Sequence, residues 1–136
     1  LRKRYSGFWP DRYVHEGDAG GQEILWINTS GEIMQPAHWG QHHSRCLGYL
    51  VACAEEGLST RLLVLFNAGN SPISFRLPLA GSDAGWQLLL DTGLDDGCSG
   101  LSTVPVQGQY SMLAHTTVIM LHTGRKSVET QQEFKL

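Results

Sequence analysis

Charge is scarce in this 136-residue chain. Asp, Glu, Lys and Arg make up 17% of it, below the ~25% usual in globular proteins. The 13 acidic residues outnumber the 10 basic ones, so the basic footprint of a nucleic-acid partner is missing. Hydrophobic residues still reach 41%. That excludes an intrinsically disordered chain, which combines high charge with few apolar residues. Long apolar runs are also lacking. Leu62–Phe66 spans five residues, far short of the ~20 that a membrane helix needs. No apolar stretch follows Leu1-Arg2-Lys3-Arg4-Tyr5, so the start is not a signal peptide. Without an initiator Met, it reads as a piece of a longer chain. Paired cysteines are lacking too: Cys46, Cys53 and Cys98 are odd in number and form no C-x-x-C. A disulfide framework or zinc knuckle is therefore not expected. Reduced thiols in the cytoplasm are, and the sequon Asn28-Thr29-Ser30 matters only in a secreted protein.

Catalytic signatures are equally sparse. No G-x-S-x-G elbow, phosphate-binding loop or dinucleotide glycine pattern occurs. His38 and His42 have the i, i+4 spacing of a helical metal pair, with His43 beside them. They lie in a stretch without helical period and without a nearby Asp to complete a site, so a solvated loop is the simpler reading. His115 and His122 are too far apart to be read as a pair. Glu55-Glu56 and Asp95-Asp96 are neighbours on turns. A glycosidase needs two carboxylates facing one another across a sugar, and adjacent turn residues diverge. No catalytic, cofactor or metal residue is assigned from the sequence.

What the sequence does contain is short strands. Ile24–Ile27, Arg45–Ala54, Leu62–Phe66, Ile73–Leu77, Trp86–Leu90, Tyr110–Leu113 and Thr116–Leu121 are apolar and separated by Gly, Asn and Asp. The unbroken run Leu62–Phe66 suits a central strand covered on both faces. Ile73, Phe75 and Leu77 alternate with Ser74 and Arg76, as in a half-buried strand. With Asn67-Ala68-Gly69-Asn70 between them, these two strands read as a hairpin. Glu55-Glu56-Gly57 turns the chain, Val104-Pro105-Val106 suits only an edge, and Ile33–Ser44 reads as a loop. No amphipathic helix of ten residues is visible, which disfavours a parallel α/β sheet. The expected fold is all-β: an antiparallel β-sandwich with a short N-terminal helix remnant. Residues 1–15 would be the end of that helix and a linker, 16–122 the sandwich and 123–136 a polar, poorly ordered tail. Leu63, Leu65, Phe75 and Leu121 are expected in the core, and Trp26 and Trp86 are expected to be buried in strands. Trp9 and Trp39, in loops, could each anchor a loop or meet another domain.

Taken in order, Leu1-Arg2-Lys3-Arg4, Leu25-Trp26, Gly31-Glu32-Ile33-Met34, Trp39, Arg45-Cys46-Leu47-Gly48-Tyr49-Leu50, Leu65-Phe66-Asn67-Ala68, Phe75-Arg76-Leu77-Pro78, Trp86 and Leu90-Asp91-Thr92 form a recognisable set. The chain resembles the C-terminal region of glycogen-debranching enzymes, the isoamylase-type branch of the α-amylase clan, over roughly residues 1–121. It departs from that pattern at Asp95–Gly108 and at Ala114-His115-Thr116-Thr117, which replaces an Arg-Ser pair. The resemblance implies a non-catalytic β-sandwich behind a (β/α)8 barrel that hydrolyses α-1,6 branch linkages of an α-glucan, with the catalytic carboxylates on the absent barrel. Phe8, Trp9, Tyr13 and Trp39 are the expected domain-docking or sugar-contacting residues. The competing reading is an independent carbohydrate-binding or protein-interaction sandwich.

Overall fold

The computed structural model describes residues 24–41, 45–55, 58–78, 85–95 and 108–125. The expected N-terminal helix remnant, the segment Val104–Val106 and residues 126–136 of the expected tail lie outside these residues. Among the described residues the chain forms seven strands and one helical turn: β1 (Ile24–Ile27), α1 (Pro36–Trp39), β2 (Cys46–Glu55), β3 (Leu58–Asn67), β4 (Ile73–Arg76), β5 (Gln87–Asp91), β6 (Gln109–Met112) and β7 (Thr116–Arg125). A five-stranded sheet has the order β1-β2-β3-β7-β5, and β4 and β6 pair as a second sheet. Every pairing is antiparallel. The fold is the expected all-β sandwich.

The core explains why these residues fold this way. Ile27, Leu50, Leu63, Leu65, Leu88, Val118 and Met120 of the large sheet pack against Phe75 and Met112 of the small one. The expected core residues Leu63, Leu65, Phe75 and Leu121 are all buried, as is Trp86. The Trp86 indole N–H donates to the Pro78 carbonyl at 3.1 Å, which satisfies its polar atom. β3 lies between β2 and β7, and its apolar run is buried on both faces. Leu63 and Leu65 join the inter-sheet core, while Leu62 and Val64 join a second cluster on the outward face with Val51 and Leu121. β7 continues through Arg125, opposite Leu58, so its last three residues fall in the segment expected to be tail.

The expected hairpin of Leu62–Phe66 with Ile73–Leu77 does not form. Both hydrogen-bonding edges of β3 are already taken by β2 and β7, so β4 cannot add beside it. The chain leaves the large sheet at Asn67 and pairs with β6 in the small one. β6 returns to β7 next to this crossing, so the β3–β7 ladder bends over a corner into the β4–β6 ladder. Asn67, buried at that corner, ties it together. Its Nδ2 donates to the carbonyls of Ser71 and Leu113, both at 3.0 Å, and its Oδ1 accepts from Gly69 N at 3.0 Å and the Cys46 thiol at 3.4 Å. The His115 amide donates to Gly69 O at 3.3 Å from a left-handed conformation with φ 54°, a region that His tolerates better than most residues.

A second tie joins the sheets. A bulge between Leu88 and Leu90 shifts the register of β5 by one residue. Asp91 then lies opposite the inward-facing Val118 instead of pointing outward. Its buried carboxyl accepts from Gly93 N at 2.8 Å and from the Tyr110 hydroxyl of the small sheet. Burial first, then the hydrogen bond to Asp91 and its negative charge, raise the Tyr110 pKa well above its ordinary value near 10. The Tyr110→Phe substitution strands a buried acceptor and is expected to cost about 1.5–3 kcal/mol in urea denaturation. The same shift sets a pH dependence. The folded chain holds the Tyr110 proton at a pH where the unfolded chain has lost it, so this stability is present below pH ~10 and declines above it. The alkaline decline should be shallower in Tyr110→Phe.

Candidate functional site

The outward face of the large sheet carries an aromatic row. Trp26 on β1 lies directly opposite Tyr49 on β2, so both project from the same face. Their ring centroids are 5.4 Å apart at an interplanar angle of 63°, and Phe66 on β3 continues the row 6.0 Å from Tyr49. At the other end Trp39 meets Trp26 at 5.8 Å and 74°, edge to face. Trp39 is 54% exposed and Trp26 38%. Trp26 is thus not the core residue expected. Ile27, one position on, takes the inward direction in β1.

The segment between β1 and α1 brings Trp39 to this face. Asn28 Oδ1 accepts from the amides of Ser30 and Glu32 at 3.0 and 3.1 Å, closing a side-chain-capped turn. Gly31 has φ +76°, and a Cβ there would lie 2.7 Å from the Arg76 carbonyl. Both the conformation and the close approach therefore require glycine. Ile33 then bridges back to Ile27, and Met34 N donates to Trp26 O at 2.8 Å. Pro36 sits in the first turn of α1, where its missing amide costs nothing. The Gln35 amide donates to His38 Nδ1 at 3.0 Å. This single turn is the one helical element within the segment expected to be a loop.

The other candidates disperse. Phe8, Trp9 and Tyr13 lie outside the described residues; Trp39 is the one member of that set that the structure places. His38 Nδ1 is committed as an acceptor to the Gln35 amide, and His42 and His43 lie outside. No group of three His, Cys, Asp or Glu among the described residues is arranged to hold a metal ion. Glu56 and Asp96 are also outside, and Asp95 is exposed. Asp91, which no sequence motif marks, has its carboxyl engaged with Tyr110. Burial raises the Cys46 pKa, which keeps that thiol protonated and poorly nucleophilic. The described surface therefore offers aromatic contact area, and the buried polar groups Asn67 and Asp91 serve structure. No described helix is long and apolar enough to cross a membrane.

Residues 23–128 match the family model "Isoamylase, C-terminal". The isoamylase of Pseudomonas amyloderamosa is 25% identical over 113 residues, covering 83% of this chain and 14% of that protein. A glycogen operon protein GlgX homolog of Mycobacterium tuberculosis (strain ATCC 25618 / H37Rv) is 26% identical over 137 aligned residues, covering 90% of this chain and 19% of that protein. The chain thus spans less than a fifth of the length of either relative. With the family model covering most of its length, and all seven described strands falling inside the matched range, the chain belongs to the isoamylase C-terminal domain family.

Proposed function

We propose that this chain is the non-catalytic C-terminal domain of a cytoplasmic glycogen-debranching enzyme, and that it stabilises a catalytic (β/α)8 barrel in the same polypeptide. The barrel would hydrolyse α-1,6 branch linkages of an α-glucan and would supply both catalytic carboxylates. The observation that carries this reading is the match of residues 23–128 to the isoamylase C-terminal family, in a chain that spans less than a fifth of the isoamylase and of the GlgX homolog it resembles. Val51, Leu62, Val64 and Leu121 form a buried cluster on the outward face, fringed by Tyr49, Phe66, Leu89 and Ile119. A free-standing sandwich needs one apolar face per sheet and turns polar residues outward. The four residues of the outward cluster are 4–5% exposed within the chain itself, so the barrel would rest on the partly buried side chains around them, Phe66, Leu89 and Ile119.

Expression of the complete reading frame tests this reading. Release of reducing ends from a branched α-glucan is expected from the complete protein and none from residues 1–136 alone. Turnover by the isolated chain that disappeared on replacing Glu56 or Asp95 would refute the non-catalytic assignment. In the complete protein, Phe66→Asp with Ile119→Asp places two charges at the fringe of the outward cluster. The half-life of activity at elevated temperature is expected to fall about tenfold or more, with the initial rate at 25 °C nearly unchanged.

A further inference from the structure

We propose that Trp39 and Trp26 form a stacking site for a linear α-glucan segment at the exposed β1 edge of the outward face, where Tyr49 stands between the pair and the apolar cluster assigned to the barrel. The proposal rests on the debranching reading above and names a second place where the same polymer would be held.

Three observations support this assignment. First, the two rings are large and open to solvent, at 54% and 38% exposure. Such exposed aromatic area is a frequent mark of a contact surface. Second, the platform is built before any ligand arrives. The Asn28-capped turn, the Ile27–Ile33 bridge, the Met34–Trp26 backbone bond and the Gln35–His38 bond fix the segment that carries Trp39. A ligand would therefore not have to order that segment, which removes one of the costs of binding. Third, the segment that builds the platform is polar but almost uncharged. Between Ile24 and Gln41 the ionised side chain is Glu32, with no Lys or Arg. Gln35 and Gln41 are exposed and can donate and accept hydrogen bonds. An anionic polymer or a charged peptide finds no basic counter-charge in that segment. A neutral ligand with apolar ring faces and hydroxyl edges matches both the rings and the amides.

The geometry also discriminates between sugars. The rings stand 74° apart, so they present faces in different directions. An α-linked glucan curves, and its successive sugar faces turn with it. A β-1,4-linked chain is flatter and suits rings nearer to coplanar. The angled pair fits the curved polymer.

The test uses the complete encoded protein in native gels containing glycogen, comparing wild type, Trp39→Ala and Trp39→Phe. Trp39→Ala is expected to weaken retardation, raising the apparent dissociation constant roughly tenfold, the factor for one lost aromatic contact. Trp39→Phe should recover part of it. Turnover of a short branched oligosaccharide and the thermal midpoint should not change, because this residue lies away from the chemistry and the core. Maltohexaose should compete for the site and cellohexaose should not. Unchanged retardation in Trp39→Ala, no retardation of the wild type, or equal competition by the two sugars overturns the proposal. So does a marked fall in thermal midpoint on Trp39→Ala, which would make this a protein-docking residue. If the debranching reading fails instead, the encoded protein releases no reducing ends, yet its Trp39-dependent retardation persists.

Discussion

Asn67→Asp is expected to cost about 3–5 kcal/mol at neutral pH, more than Asn67→Ala, because it places an unpaired charge at a buried corner. The side-chain amide donates to the Ser71 and Leu113 carbonyls while its oxygen accepts from Gly69 and the Cys46 thiol. A carboxylate keeps the two donors it faces on one side. On the other it sets an oxygen against two carbonyl oxygens at what was a 3.0 Å donor distance. Alanine simply leaves those groups unpaired, at about 2–3 kcal/mol. Both variants loosen the point where the β3–β7 ladder bends into β4–β6. The aspartate has a further signature. Burial and the facing carbonyls disfavour its charged form, so its pKa in the folded chain lies above the unfolded value near 3.9. The proton retained in the folded state offsets the damage at acid pH, and that help fades as pH rises through the folded pKa. Denaturation at pH 7 should rank wild type, then Ala, then Asp, with the gap between Ala and Asp closing near pH 4. Equal stabilities at pH 7 would falsify the assignment of Asn67 Nδ2 as the donor to the two carbonyls.

The same corner marks the limit of what the sequence discloses. The run Leu62–Phe66 states that its strand is covered on both faces, and the structure agrees. It does not state which strands lie beside it. A five-residue connection such as Ala68–Pro72 is short enough for a hairpin and long enough to cross between sheets. The choice was made by β7, which arrives some fifty residues later and occupies the free edge of β3. Alternation in Ile73–Leu77 correctly gave the buried side of β4, because that depends on local period alone. In β1 no alternation exists: Ile24, Leu25, Trp26 and Ile27 are all apolar, so composition could not reveal that Trp26 faces outward. The Leu88–Leu90 run hid a bulge for the same reason, and with it the inward turn of Asp91. α1 is too short for a periodic signal. It stands on a proline, a histidine acting as acceptor and a glycine turn packed against Arg76. The candidate site was legible in part. Trp39 could be named as a large residue in a loop, but its partner Trp26 emerged only once the register set it opposite Tyr49.

Phe75→Ala is expected to cost about 3–5 kcal/mol, the range for removing a fully buried aromatic side chain. Phe75 is 0% exposed and faces the large sheet from β4. The small sheet has four residues in each described strand, and it holds to the large one through few inward side chains: Phe75, Met112, and the partly buried Ile73 and Tyr110. Losing the ring therefore removes a large share of the apolar contact that fixes β4–β6 in place. The effect should be local before it is global. Amides of β4 and β6 are expected to exchange faster than those of β2, β3 and β7, whose long ladders do not depend on Phe75. Phe75→Leu retains most of the volume and should cost less than half as much. Tyr110 lies directly opposite Phe75 in the register, so the two side chains share one face and one inter-sheet attachment. Phe75→Ala combined with Tyr110→Phe should fall short of the sum of the single effects, because a small sheet already loosened by the first change has less to lose from the second. Strict additivity in a double-mutant cycle would mean that the aromatic contact and the Asp91 hydrogen bond hold separate parts of the sandwich.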